Sequence, residues 1–151
     1  MIRKRRFGKR GFSLTELLII VAVICVLAAV VVFSANAART KMRDSRRMAD
    51  MKAISDALAM RQVHNGVYPL AVAPQTIDGS TDILSTILPA EGLIERVPVD
   101  PLTGIDPVYV YTYQTPVDGS SYTLTFCLET DDFDRYGRVK GCDPDKNRMT
   151  P

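Results

Sequence analysis

A chain of 151 residues with a formal net charge of +2 has room for one ordinary domain, and an apolar N-terminal segment takes up a good part of its 46% hydrophobic residues. The soluble core must therefore be small. The sequence has one histidine and contains no nucleophile-elbow, zinc-protease, phosphate-loop or dinucleotide motif, which argues against an enzyme.

Residues 1–11 form a basic leader that is too short and too charged to fold. Its six lysine and arginine residues should hold it on the cytoplasmic side of a membrane and direct the rest of the chain outward. Further basic residues between Arg39 and Arg47 flank the other end of the apolar run. The difference in positive charge between the two ends, which sets the orientation in the membrane, is therefore small. Removal of the leader would change the net charge from +2 to −4.

An apolar run of 17 residues follows, from Leu17 to Phe33. A helix over residues 12–33 would extend about 33 Å, close to the roughly 30 Å of a bilayer's hydrocarbon core. Glu16 would lie in this apolar zone, where an acidic side chain costs a few kcal/mol, so it needs a partner and indicates a functional site. Cleavage between Gly11 and Phe12 would create an α-ammonium one helical turn from this carboxylate.

The stretch from Arg10 to Leu17, read as Arg-Gly-Phe-Ser-Leu-Thr-Glu-Leu, resembles the class III signal of type IV pilins and of the pseudopilins of type II secretion. The resemblance implies that a prepilin peptidase cleaves after Gly11, that Phe12 becomes N-methylated, and that Glu16 guides assembly. The mid-helix proline of many major pilins is absent, so we expect a straighter helix.

An ordinary secretory signal is the alternative, because Ala35-Asn36-Ala37 supplies a small-residue cleavage site. It would leave a soluble product that begins at Ala38. The length of the apolar run, the presence of Glu16 and helical periodicity that continues past residue 37 favour the pilin-like interpretation.

After Phe33 the pattern becomes amphipathic over residues 34–65. The apolar stripe of this part consists of Met48, Met51, Ile54 and Leu58. We predict one helix of some 50 residues, with its first half in lipid and its second half packed on the head, that ends at Asn65-Gly66. The basic run from Arg39 to Arg47 is interpreted as a solvated face.

Residues 66–107 read as a connecting loop with one short helix. We expect that helix over Asp82 to Leu88, with Ser80 or Thr81 as its N-cap and Pro89 at its end. Val97-Pro98-Val99-Asp100-Pro101 reads as an extended connector. This stretch and Gly66-Val67-Tyr68-Pro69 resemble the corresponding parts of major pseudopilins.

Residues 108–151 are predicted to form an antiparallel sheet and an acidic tail. Alternating patterns predict strands over Val108–Thr115 and Tyr122–Glu129, joined by a hairpin at Asp118-Gly119. The apolar side chains of the second strand should face the helix, with Cys127 outward. The expected fold class is α+β and pilin-like: a long N-terminal helix, transmembrane in its first half, packed on a small antiparallel sheet.

Cys127 and Cys142 are an even pair that can form a disulfide in an exported domain, while Cys25 lies in the apolar segment. No cofactor is expected from motifs. The resemblance to major pseudopilins implies calcium in the acidic tail, for which the candidate ligands are Asp131, Asp132 and Asp134. Their spacing does not match an EF-hand loop, and a solvated acidic turn is the favoured interpretation.

The favoured function is that of a structural pilin or pseudopilin, stored in the inner membrane and polymerised through its N-terminal helix, for type II-like protein secretion. A type IV pilus or DNA-uptake pilus subunit is the first alternative, and a single-span anchor for a binding domain is the second. The implied partners are other copies of the chain, the lipid bilayer, a prepilin peptidase, an inner-membrane platform protein and an assembly ATPase; nucleic acid is not favoured.

The leader would remain cytoplasmic and the C-terminal domain would lie outside the cytoplasm. A basic stem over residues 34–63 and an acidic head over residues 64–151 suggest head-to-stem packing between copies.

Overall fold

The computed structural model describes residues 12–151, which fall into an N-terminal segment up to Ala38 and a compact domain over Arg39–Pro151. The first helix, α1, runs from Leu14 to Asn65 and belongs to both parts. The predicted leader, residues 1–11, lies outside the described residues. The structure has the predicted α+β architecture of one long N-terminal helix and a small antiparallel sheet.

The N-terminal part of α1 is an apolar helix whose large side chains are exposed. Each leucine, isoleucine and valine from Leu14 to Val32 is exposed to solvent, so none of them belongs to a core within the chain. Among the described residues 12–151, this is the one helix that is long and apolar enough to cross a membrane. The segment thus carries a large apolar surface that needs lipid or protein around it.

The C-terminal end of α1 confirms the helix stop that was predicted from Asn65-Gly66. Gly66 has φ 77°, a left-handed conformation in which glycine is favoured, and its N–H donates to the carbonyl oxygen of Gln62 at 2.9 Å. The unbroken helix of 52 residues matches the predicted length. A stretch without glycine or proline from Phe12 to Asn65 made this element readable.

The connecting segment contains a second helix, α2, from Ile83 to Ala90. Its N-cap is Asp82, whose Oδ1 accepts from the N–H of Ser85 at 2.9 Å, so the predicted caps were wrong. Ser80 and Thr81 instead donate their N–H groups to Asp78 Oδ1, each at 2.7 Å. A carboxylate one residue later took the capping position because the preceding turn already engages both hydroxyl residues.

The sheet has four antiparallel strands in the order β1-β2-β3-β4. They are β1 at Gln75–Thr76, β2 at Thr112–Gln114, β3 at Thr123–Thr125 and β4 at Arg148–Met149. The central pair, β2 and β3, lies within the predicted strands but is much shorter, and the two edge strands were not predicted. Tyr113 pairs with Leu124 at the centre of this ladder.

The central strands end early because the backbone beyond them bonds to loops. The N–H of Thr115 donates to the carbonyl oxygen of Ala71 at 2.8 Å, and the N–H of Phe126 donates to that of Asn147 at 3.1 Å. These partners come from the connecting segment and the tail, so the extended chain continues without a regular ladder.

The core lies between α1 and the sheet. It contains the predicted stripe residues Met51, Ile54 and Leu58, all with no exposed surface, and Met48 packs at its edge. The sheet and its extensions contribute the side chains Tyr111, Tyr113, Tyr122, Leu124, Phe126 and Leu128. The predicted inward face of the second strand is therefore confirmed, but Cys127 is 5% exposed and does not point freely outward.

Candidate assembly site and buried charge cluster

The start of α1 presents the residues that sequence analysis singled out. Phe12 precedes the helix and is 74% exposed, and Glu16 lies in the first turn. The helix begins with the N–H of Leu17 donating to the carbonyl oxygen of Ser13 at 3.1 Å. A carboxylate in a first turn is favoured by the partial positive charge of the helix N-terminus. Gly11 lies outside the described residues, so the proposed cleavage site is seen only on its Phe12 side.

Glu16 is exposed, and within residues 12–151 it has neither a hydrogen-bond nor an ion-pair partner. Its neighbours Ser13 and Thr15 bond to each other through their hydroxyl oxygens at 2.8 Å. The only carboxylate of the apolar segment is thus available to a group outside the described chain. In lipid it would need such a partner, because an isolated charge there costs a few kcal/mol.

The two cysteines of the domain lie together as the sequence suggested. Cys127 and Cys142 are joined, with their sulfur atoms 2.04 Å apart. Leu128 and Gly141, one residue inside the loop at each end, exchange backbone hydrogen bonds of 3.0 and 2.7 Å. The disulfide therefore closes a loop whose two ends already pair through their backbones.

The acidic tail does not gather its aspartates around one point. Among residues 12–151 no group of three His, Cys, Asp or Glu side chains is placed to hold a metal ion, and this includes Asp131, Asp132 and Asp134. Asp132 instead forms a salt bridge with Lys41 at 3.2 Å. Calcium binding by this tail remains an expectation carried by the resemblance alone.

A cluster of buried charges lies where α1 meets the loop and the tail. We call it the Arg47 cluster; its members are Arg43, Asp44, Arg47, Asp100 and Glu129. Arg47 has no exposed surface, and its guanidinium donates to Asp100 at 2.6 and 3.1 Å, to Asp44 at 2.7 Å and to Glu129 at 2.7 Å. The same guanidinium lies 4.6 Å from the ring centre of Tyr109.

The carboxylates of the Arg47 cluster also bind backbone. Asp44 accepts the N–H groups of Glu129 and Thr130, at 3.0 and 2.8 Å, and the hydroxyl of Thr130 at 2.8 Å. Asp100 accepts the N–H of Leu102 at 2.8 Å. One side of α1 thereby binds both the connector that contains Asp100 and the segment that follows β3, so the cluster fixes how loop and tail are joined to α1.

Burial and hydrogen bonding oppose each other at Arg47. Burial acts to lower the pKa of Arg47, but the hydrogen bonds from its guanidinium to Asp100, Glu129 and Asp44 outweigh it and raise the pKa above its ordinary value. The hydrogen bond from Arg43 lowers the pKa of Glu129 below its ordinary value, against the effect of burial. Both groups are therefore charged at neutral pH.

This cluster corrects the interpretation of Arg39 to Arg47 as a solvated face. Arg47 is buried and Arg43 is half-buried against Glu129, to which its Nε donates at 2.8 Å. Two of the five basic residues in the run thus bind other residues of the fold and do not form part of a solvated face. One signal could have found Arg47: it lies four residues before Met51 and continues the apolar stripe.

The chain is similar to known proteins both in its N-terminal segment and over a longer part of its length. Residues 6–32 match the family described as the prokaryotic N-terminal methylation motif. The type II secretion system core protein G of Klebsiella michiganensis is 28% identical over 103 residues, which cover 66% of this chain and 72% of that protein. The core protein G of Escherichia coli K12 is 30% identical over 98 residues, which cover 62% of this chain and 66% of that protein. The core protein G of Pectobacterium carotovorum is 28% identical over 103 residues, which cover 63% of each chain.

The chain belongs to the type IV pilin-like family. No solved structure matches this pilin-like chain. The methylation motif spans Gly11, Phe12 and Glu16 but ends before the Arg47 cluster begins, so the motif itself assigns no role to those buried charges.

Proposed function

We propose that the chain is a pseudopilin: a structural, non-enzymatic subunit that is stored in the inner membrane and polymerises through its N-terminal helix in a type II-like secretion machine. The observation that carries the proposal is the exposed apolar start of α1 with Glu16 as its single carboxylate. The methylation motif on the same residues and the relatives named core protein G support it. Their names also favour secretion over a type IV pilus or DNA-uptake pilus.

The physical basis is an exchange of environments for the apolar helix. In the membrane its side chains contact lipid, and in a filament they contact the same helix of other copies, so little hydrophobic free energy separates the two states. Charge pairing then decides the geometry. Glu16 of an incoming copy would pair with the N-methylated α-ammonium of Phe12 on a neighbour. Each charge would then be compensated by the other within the apolar environment, and the pair would fix the axial register.

The proposal implies a sequence of handling steps outside the chain. The basic leader, residues 1–11, would stay cytoplasmic, where a prepilin peptidase cuts it off after Gly11. An inner-membrane platform protein and an assembly ATPase would then withdraw α1 from lipid into the filament, while the C-terminal domain remains outside the cytoplasm.

A substitution at Glu16 tests the proposal. Glu16→Ala should leave cleavage intact and membrane residence unchanged or improved, since it removes a charge that costs a few kcal/mol in lipid. Filament yield should nevertheless collapse because the register-setting pair is lost. The measurements are sheared-filament yield, membrane fraction and the intact mass of the extracted protein, after co-expression with the assembly machinery.

Two controls sharpen this test. Thr15→Ala changes the adjacent residue and should assemble normally, and Glu16→Gln separates the loss of charge from the loss of volume. The wild-type mass should correspond to a chain that begins at N-methylated Phe12. Normal filaments from Glu16→Ala alone would refute the assembly role, and a chain that begins at Ala38 would refute the pilin-like processing.

A further inference from the structure

The compact domain exposes an apolar groove with a basic rim. The groove lies along the first turns of α1 that belong to this domain, from Arg39 onward. Met42, which is 70% exposed, lines this groove together with Arg39, Arg43, Arg46 and Pro101, and the groove has a volume of about 370 Å³. Within residues 12–151 Arg39 has no charged partner, and Arg46 is joined to Asp50 only at 3.9 Å. We call this surface the stem groove. It offers apolar contact together with two cations that are available to an incoming acid.

A second apolar surface lies at the other end of the domain part of α1. Val63, in the last turn of α1, is 84% exposed, and Val67 and Leu70 follow it as exposed side chains. The hairpin turn over residues 116–119 closes against them, because Gly119 accepts the N–H of Tyr68 at 3.0 Å.

Gly119 shows how close this approach is: a Cβ added there would lie 2.9 Å from Leu70 Cδ2 and 3.4 Å from Val67 Cβ. The turn thereby brings Val117, which is 76% exposed, and the carboxylate of Asp118 to the same surface. We call the surface of Val63, Val67, Leu70, Val117 and Asp118 the distal patch. It is apolar and carries one exposed carboxylate, that of Asp118, which can complement the cations of the stem groove.

The two surfaces are separated along the helix and differ in composition. Met42 and Val63 are 21 residues apart, which corresponds to about 32 Å and nearly six helical turns, so both lie toward one side of α1. A contact between unlike surfaces of identical chains is heterologous, and repeated with an axial displacement it produces an open helical filament. Membrane insertion gives all copies one orientation, which rules out an antiparallel closed dimer.

We propose that the distal patch of one copy packs into the stem groove of a second copy that is displaced about 30 Å along the filament axis. This inference rests on the proposed function and names the contact by which the domains of neighbouring subunits meet. Val117 enters the groove beside Met42, and Asp118 lies against Arg39 and Arg46. Opposite charges at the rim select the axial displacement, while the apolar centre supplies contact area.

Reciprocal charge changes in the full-length chain test the contact. Val117→Lys places a cation opposite Arg39 and Arg46 and should reduce sheared-filament yield on the order of tenfold, because like charges in an interface are strongly unfavourable. Arg46→Glu in the same chain should restore most of the yield. Both side chains are exposed, so the thermal midpoints of the detergent-solubilised variants should match that of the wild type.

Cysteine cross-linking adds a second readout that does not depend on yield. In a Cys25→Ala background, a chain with both Met42→Cys and Val117→Cys should give a ladder of multimers on oxidation of filaments, and a chain with Thr86→Cys in place of Val117→Cys should not. Filaments of the Met42→Cys, Val117→Cys chain without this ladder, or Val117→Lys filaments at full yield, would overturn the proposed contact while leaving the proposed function intact. Failure of the wild-type chain to form filaments would instead refute the proposed function.

Discussion

Replacing Arg47 by methionine removes the guanidinium that three buried or nearly buried carboxylates share, while keeping a long unbranched side chain. Asp44 would retain three donors from Glu129 and Thr130, and Glu129 would retain Arg43. Asp100, 2% exposed, would lose both of its charged hydrogen bonds and keep the N–H of Leu102. The penalty should therefore concentrate on Asp100.

Removing one partner of a buried ion pair typically costs about 3–5 kcal/mol, because the remaining charge stays buried without compensation. A domain of this size has roughly 5–15 kcal/mol of stability, so Arg47→Met should remove a large share of it. The measurement is urea denaturation of the detergent-solubilised chain, followed by tyrosine fluorescence of the compact domain. Tyr111 and Tyr113 are fully buried reporters of that core.

Arg46→Met is the matched control, because Arg46 is the adjacent arginine, its side chain is 66% exposed and its ion pair is 3.9 Å long. An exposed pair of this kind contributes about 0–1 kcal/mol. Adding Asp100→Asn to Arg47→Met should recover part of the loss, since the amide can still accept from Leu102 without a buried charge. Equal, small effects of Arg46→Met and Arg47→Met would refute the view that the cluster stabilises the fold.

Two further predictions concern the same region. Because the hydrogen bond from Arg43 lowers the pKa of Glu129 in the folded state, this carboxylate contributes stability above its ordinary pKa of 4.5 that is lost as the pH falls through the lower folded value. The stability difference between wild type and Glu129→Gln should thus be constant near neutral pH and shrink below about pH 4.5 in urea titrations; a constant difference down to pH 2 would contradict it. For the disulfide, alkylation of the denatured chain should label Cys25 alone before reduction and Cys127 and Cys142 as well afterwards, and Cys142→Ser should cost about 3 kcal/mol for a separation of 15 residues. Labelling of all three thiols before reduction would show that the bond does not form.

How far the fold could be predicted depended on whether an element is specified locally. The course of α1 could be read from periodicity and from its stop at Asn65-Gly66, because both signals lie within the helix itself. The strand ends could not, since the backbone of Thr115 and Phe126 bonds to loop partners about 44 and 21 residues away in the sequence. The register of β1 and β4, two residues each, likewise depends on tertiary contacts that no short window contains.

The site residues divide in the same way. Phe12 and Glu16 could be found from sequence because the motif is contiguous and the carboxylate breaks an otherwise apolar run. The Arg47 cluster could not be assembled, because Asp100 and Glu129 lie 53 and 82 residues beyond Arg47. Its only local trace is an arginine in line with Met51 on the apolar stripe, a position where a charge is expected to be paired.

Arg47 and Glu16 are the two unusual charges of α1, and they are compensated in different ways. Arg47 is paired within the fold, whereas Glu16 is left for a group that assembly would supply. Arg47 is buried but fully paired inside the chain, so it needs no other molecule and its loss should appear as instability. Glu16 lies in an apolar segment and has no partner among residues 12–151, so its compensation must come from another group. Since a charge in lipid or in a filament core is costly until it is paired, the free energy of that pairing becomes available only on association. A carboxylate without an internal partner is thus a means of favouring the assembled state, which an internally satisfied charge cannot provide.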